Sequence, residues 1–303
     1  MENHTPRELH ADLLTSEQYV KNLGLIARHG FKNVSFTGGE PLLNPVFEQI
    51  ACGCRNIFDV IEITTNGSRI SEHLSALKKY VDVLKISVDA FDKDLAVKIA
   101  GNRSAADTLN GVEECCKFGI KTIGLNFVYM RHNSAELPKL IDFAAALKEK
   151  YSAEIYISIL DLYYSPGNRK FWQEQFVDLS EVRGRLSAEG FKISRRERTG
   201  CDSYYFTQNG VRVNMKDSIS RTHRADFCDN CETYCQEGIY SLKHSASGWI
   251  SVCPTNDPKL GALLSPEVSE EKAHEIIDPF IDILNELKII DNSGKILSER
   301  HSL

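Results

Sequence analysis

Apolar and polar positions along the chain fall into two alternating textures. Residues 15–29, TSEQYVKNLGLIARH, space their apolar side chains three and four apart, the period of an amphipathic helix. Thr15 suits the N-cap of that helix and Gly30 the residue just beyond its end. Short β-rich runs then recur at Asn33–Thr37, Val60–Thr65, Val83–Val88, Lys121–Tyr129 and Ile155–Leu160. Helical stretches separate them at about Pro45–Arg55, Glu72–Lys79, Lys93–Ile99, Ala106–Phe118 and Ser134–Lys148. Strands alternating with helices predict βα units with right-handed crossovers. The runs are apolar almost throughout, which predicts parallel strands covered on both faces.

Polar residues stand where the predicted strands end: Thr37, Thr65, Ser87, Asn126 and Asp161. Any one of them serves equally well as a turn-former. Five at equivalent positions point to one concave site, because parallel barrels carry their ligands at the carboxyl ends of the strands.

The texture changes after residue 165. Ser165-Pro166-Gly167-Asn168 is a turn-rich break, residues 178–189 read as helix, and residues 191–215 alternate around a turn at Asn209-Gly210, the mark of a hairpin. A cysteine-rich segment from Cys228 to Cys253 precedes an amphipathic helix at about Pro266–Lys288. The expected division is residues 1–165 and 166–303.

Charge and composition narrow the function classes. The 303 residues carry a formal net charge of -6, with 42% hydrophobic and 26% charged residues. An acidic balance argues against a nucleic-acid partner or a basic membrane-surface patch. The sequence contains no apolar run long enough for a bilayer and no signal-peptide pattern, so the expectation is a cytoplasmic protein with no membrane partner. Nine cysteines, an odd number without a secretory leader, argue against a disulfide framework and for metal or redox chemistry. The nine histidines form neither HxxxH nor HExxH, and none is assigned to a metal.

The strongest local signal is Thr37-Gly38-Gly39-Glu40-Pro41-Leu42. Two glycines after a strand let the backbone approach a ligand, a glutamate pairs with an ammonium group, and a proline fixes the exit of the turn. A plain strand-to-helix turn would also use these residues. The motif is followed in order by Ile63-Thr64-Thr65-Asn66-Gly67, Lys85-Ile86-Ser87-Val88-Asp89, Leu125-Asn126-Phe127, and Ile157-Ser158-Ile159-Leu160-Asp161 with Pro166-Gly167-Asn168.

Across residues 15–170 this series resembles the radical S-adenosylmethionine (radical SAM) superfamily, and most closely its GTP 3′,8-cyclase-like group. The resemblance implies an α/β fold: a partial (β/α)6 TIM-like barrel lacking its first strand in residues 1–165, with a smaller cysteine-rich α+β module in residues 166–303. It implies that S-adenosylmethionine is held by Gly38, Gly39, Glu40, Pro41, Thr65, Asn66, Ser87, Asp89 and Asn126. The family's C-x3-C-x2-C loop, which holds its radical-generating 4Fe–4S cluster, has no counterpart here, since no cysteine precedes Cys52. The implied expectation is that such a cluster needs an upstream segment, that these residues alone are inactive, and that the catalytic residues stay unassigned. Cys52 and Cys54 lie two apart on a predicted helix and do not face one another, so they read as structural, as do Cys115 and Cys116; Cys201 is undecided.

Cys228 and Cys231 form a C-x2-C pair, followed by Cys235 and Cys253. Four such thiols suit either a closed iron–sulfur cluster or a tetrahedral zinc site. The resemblance favours an auxiliary 4Fe–4S cluster, because Gly248–Cys253 fits the strand that brings the third cysteine in the cyclase. The stretch Cys231-Glu232-Thr233-Tyr234-Cys235 and the ending Arg300-His301-Ser302-Leu303 depart from the cyclase and count against GTP as substrate. Arg169, Lys170, Arg221 and Arg224 are weaker candidates for an anionic substrate, with a solvated basic surface the simpler reading.

The implied function is reductive cleavage of S-adenosylmethionine and hydrogen abstraction from a small-molecule or peptide substrate, fed by a reducing electron donor. The alternatives are a non-catalytic radical SAM-like binding or partner subunit, and a zinc-binding interaction module.

Overall fold

The computed structural model describes residues 13–101, 105–164, 166–196, 200–230, 237–253 and 260–290. Its frame is one large sheet fed by βα units. Helix α1 (Ser16–Ala27) leads to β1 (Asn33–Phe36), α2 (Phe47–Cys54), β2 (Val60–Thr65), α3 (Ile70–Tyr80) and β3 (Val83–Ser87). Helices α4 (Lys93–Ala100) and α5 (Ala105–Phe118), β4 (Thr122–Tyr129), α6 (Glu136–Tyr151) and β5 (Glu154–Asp161) follow. The start of α1 is a capping box: Thr15 Oγ1 accepts from Gln18 N–H, and Gln18 Oε1 accepts from Thr15 N–H.

The chain continues through α7 (Arg169–Gln175), α8 (Leu179–Ala188), β6 (Ser194–Arg196), β7 (Cys201–Gln208) and β8 (Val211–Arg224). Then come β9 (Lys243–His244), β10 (Trp249–Ser251), β11 (Gly261–Leu263), α9 (Glu270–Asn285) and β12 (Lys288–Ile290). The main sheet runs β1-β2-β3-β4-β5-β8-β7-β6, with β12 also on β8, and β9, β10 and β11 form a separate small sheet. Neighbours from β1 to β5 are parallel, and β8 is parallel to β5. This is the expected α/β architecture, a parallel sheet wound with helices; the sheet does not close among the described residues.

Two expectations need correction. First, the strands are not covered on both faces. Burial alternates along β2, β3 and β5, so Ile61, Ile63, Leu84, Ile86, Ile155, Ile157 and Ile159 are buried while their neighbours are half-exposed. The helices cover one face only. Second, the hairpin expected in the C-terminal part belongs to the main sheet. Asn209 (φ 51°) and Gly210 (φ 73°) make the turn, and β8 then pairs with β5 as a sixth parallel strand. The short helix α7, which buries Trp172, fills the stretch left unassigned in sequence between the turn-rich break and the helix read at 178–189.

Candidate functional site at the carboxyl ends of the strands

The turn after β1 is built for an open approach. Gly38 has a φ of 123°, a conformation that side chains with a Cβ rarely adopt. A Cβ on Gly38 or Gly39 would meet nothing within 4 Å, so no protein atom packs there. Glu40 is half-buried, and its carboxylate is already engaged. Oε1 accepts from Leu42 N–H at 3.1 Å and from the Thr65 hydroxyl at 2.6 Å, and Oε2 accepts from Asn66 N–H at 2.7 Å. A carboxylate has about four acceptor sites, so three bonds leave about one. Pro41 opens the short 3-10 turn Pro41–Leu43.

The next loop is held as tightly. Thr65 is buried, and its oxygen also accepts from Gly67 N–H at 3.1 Å. Asn66 uses its side-chain oxygen on Ser68 N–H at 2.8 Å. Gly67 adopts φ 86°, and a Cβ there would sit 3.1 Å from Thr108 and 3.2 Å from Ile86. These contacts make a rigid shelf from residues that the sequence singles out.

Ser87 and Asp89 line a small depression with Ala96, Ala105 and Thr108. Asp89 does not simply point into it. Its Oδ1 accepts from Val128 N–H at 2.9 Å, and its carbonyl accepts from Asn133 Nδ2 at 3.0 Å, which fastens the end of β3 to β4. Asn126 stands in the middle of β4, not at its end. It is opposite Ser87 on one side and Ser158 on the other, and Ser158 is opposite Asn214 of β8. These four residues form one row on the half-exposed face of the sheet. Asn214 donates to the Ile157 carbonyl and accepts from Arg212, whereas the side chains of Ser87, Asn126 and Ser158 find no partner among the described residues.

Beneath this row lies a layer the sequence did not suggest. Lys85 and Glu62 form an ion pair of 2.5 Å, both partly buried, and the Tyr156 ring lies across Gly124, where a Cβ would come within 2.7 Å of it. The register sets Lys85, Gly124, Tyr156 and Arg212 side by side, so this layer floors the polar row.

The family described as Radical SAM superfamily matches residues 2–144. The probable GTP 3′,8-cyclase of Methanocella arvoryzae is 26% identical over 76% of this chain and 71% of its own length. The GTP 3′,8-cyclase of Microcystis aeruginosa is 28% identical over 96% of this chain and 88% of its own. Residues 2–144 thus carry a radical SAM domain. Among solved structures, Streptococcus suis SuiB superposes with a TM-score of 0.49 and 20% identity, over 59% of this chain and 40% of that one.

The cysteines of the radical SAM domain do not offer a cluster site. Cys54, Cys115 and Cys116 are buried in the core, where burial pushes their thiols up to about 12, about 12 and about 11. Such groups stay protonated and are poor ligands. Cys52, expected to be structural, is instead exposed on α2. Beyond the domain, Cys228 sits in the 3-10 turn Asp226–Asn230 and Cys253 follows β10, both buried. Ser251 orders the latter turn, accepting from Cys253 N–H and donating to the Leu260 carbonyl. Cys231 and Cys235 lie outside the described residues. Arg224, expected on a solvated surface, is buried and donates to Thr222 Oγ1 at 2.9 Å, and Arg221 pairs with Asp202. No described helix is long and apolar enough to cross a membrane.

Proposed function

We propose that this radical SAM chain binds S-adenosylmethionine across the carboxyl ends of β1 to β4. The observation that carries the reading is the row of polar side chains without partners among the described residues, Ser87 and Asn126 with Ser158, in the same sheet as a glycine turn that faces open space. A protein group left half-buried without a partner is an uncommon expense unless a ligand or water satisfies it. The Gly38-Gly39-Glu40-Pro41 turn receives the methionine amino group, with the remaining acceptor site of Glu40 as its carboxylate partner. Thr65 and Asn66 hold Glu40 in place. Ser87 and Asn126 donate to the ribose or carboxylate oxygens, and Asp89 keeps the strand ends together.

When bound, the cofactor would supply a sulfonium that, given one electron from a separate reducing donor, cleaves to a radical able to abstract hydrogen from a substrate. The protein groups described above bind and orient; the half-exposed face, floored by Lys85, Glu62 and Tyr156, is where a small-molecule or peptide substrate would lie beside them. Cys228, Cys231, Cys235 and Cys253 are the proposed ligands of an auxiliary 4Fe–4S cluster in a C-terminal part that begins after residue 165. Cys54, Cys115 and Cys116, buried in the core, do not suit a second cluster.

Calorimetric titration of the full chain with S-adenosylmethionine tests the site. Binding that is weakened by Asn126→Ala and by Glu40→Gln supports it. No binding, or wild-type affinity in both variants, sinks it.

A further inference from the structure

Two histidines 245 residues apart meet where α1 packs on α9. His29 lies just beyond α1, and its side chain is only 8% exposed. Its Nδ1 is 3.0 Å from the Leu25 carbonyl. A carbonyl only accepts, so Nδ1 carries the hydrogen and Nε2 of the neutral ring presents a lone pair. That lone pair faces His274 Nδ1 at 2.9 Å and Asp278 Oδ1 at 3.1 Å. His274 and Asp278 are four apart on α9 and therefore share one face of the helix.

Hydrogen bonding alone does not satisfy this arrangement. A neutral His29 can accept from His274 but has no proton to give the carboxylate. Asp278 has no other partner among the described residues. Three donor atoms, all within 4.8 Å of one another, converge on a point that calls for a positive centre. A tetrahedral zinc ion with bonds of about 2.0–2.1 Å sets neighbouring ligand atoms about 3.3 Å apart, close to the spacing here.

The surroundings also match a metal site. The Leu25 carbonyl fixes the tautomer of His29, as outer-shell carbonyls do for metal-bound imidazoles. If His274 ligates through Nδ1, its Nε2 points towards Glu270 Oε1, 4.0 Å away, which Arg28 holds in turn. The geometry points to a divalent transition-metal site formed by His29 Nε2, His274 Nδ1 and Asp278 Oδ1. Two imidazoles and a carboxylate suit Zn²⁺, Co²⁺ or Ni²⁺ rather than Mg²⁺ or Ca²⁺. Asp278 is 62% exposed, so the fourth position opens to water. The metal would clamp α9 to α1, and its nitrogen and oxygen donors set it apart from the cysteine segment.

The test is a cobalt titration of the metal-stripped full chain, read in the visible spectrum. Wild type should show d–d bands of a nitrogen–oxygen site without thiolate charge transfer. His274→Ala and Asp278→Asn should weaken that species at least about tenfold, since even outer-shell changes cost 10–100-fold. Any thiolate bands from the cysteines should be the same in all three proteins. Asp278→Asn changes an exposed side chain of equal shape, so it keeps the test valid should His274→Ala fold poorly. Equal cobalt uptake and affinity in wild type and variants overturns the site. So does the absence of any nitrogen–oxygen cobalt species in wild type.

Discussion

Glu40 and Thr65 share a 2.6 Å hydrogen bond that ties the turn after β1 to the end of β2. The hydroxyl spends its proton on the carboxylate, so it can only accept from Gly67 N–H. Thr65→Val keeps the shape and removes both bonds. A hydrogen bond to a charged group contributes about 1.5–3 kcal/mol, so the freed carboxylate should lower S-adenosylmethionine affinity roughly tenfold or more. Calorimetry of the variant against wild type checks this; unchanged affinity would show that Glu40 is held well enough by its two backbone donors.

Asn126 and Asp89 should behave oppositely although both belong to the expected cofactor set. Asn126 has no side-chain partner among the described residues, so Asn126→Ala should change unfolding free energy by less than about 0.5 kcal/mol while reducing ligand binding. Asp89 accepts from Val128 N–H, and Asp89→Ala strands that donor, at about 1–3 kcal/mol. Urea unfolding of the two variants side by side separates a ligand-facing group from a structural one. Equal destabilisation would contradict the assignment.

His244 predicts an acid-sensitive contact. It ends β9 of the small sheet and meets α1: Tyr19 meets its ring edge-on at 4.7 Å, and Asn22 Nδ2 approaches its Nε2 at 3.3 Å. The residue reaches the surface in part, but its Nδ1 is shielded and has no partner among the described residues. Burial pushes the imidazole down to about 4. The unfolded chain takes up its proton near pH 6.5, whereas the folded chain does not until about pH 4. Stability is therefore full above about pH 6.5 and is lost as pH falls towards 4, by up to about 3 kcal/mol. His244→Gln should flatten the stability profile in that window. A variant with the wild-type profile would assign the acid sensitivity to other groups.

Thiol labelling should sort the described cysteines of the N-terminal domain by burial. Cys52 is exposed and should react in the native protein. Cys54, Cys115 and Cys116, with thiols held up at about 11–12, should react only on unfolding. Peptide mass mapping after a short pulse of reagent reads the order. Native labelling of Cys54 would mean that α2 opens from the core.

Local periodicity carried the βα order because each element depends on near neighbours in sequence. Thr15 with Gln18 and the Asn209-Gly210 turn are readable for that reason. The face of each strand was harder. In Val60–Thr65, Glu62 and Thr64 alternate with Ile61 and Ile63, a sign of one buried face that the apolar character of the run as a whole obscures and the one-sided helix layer makes plain. Residues that meet across strands were invisible. Lys85 with Glu62 and Ser158 with Asn126 depend on register, and His29 with His274 on a helix contact that closes almost the whole chain. Motif order singled out Asp89 and Asn126 alike, but could not tell that one supports the backbone while the other has no side-chain partner among the described residues.

The place of β8 bears on how the molecule is made. On the ribosome, β5 ends at Asp161 and its pairing edge is completed only when Val211–Arg224 emerges. At about 5–20 residues per second, the intervening fifty or so residues take roughly 3–10 s to synthesise. During that interval the nascent chain presents the β5 edge, a template for wrong pairing with another chain. A product released after α8 keeps that edge open permanently, so stalled or nicked translation in this stretch should yield aggregates rather than a smaller folded domain.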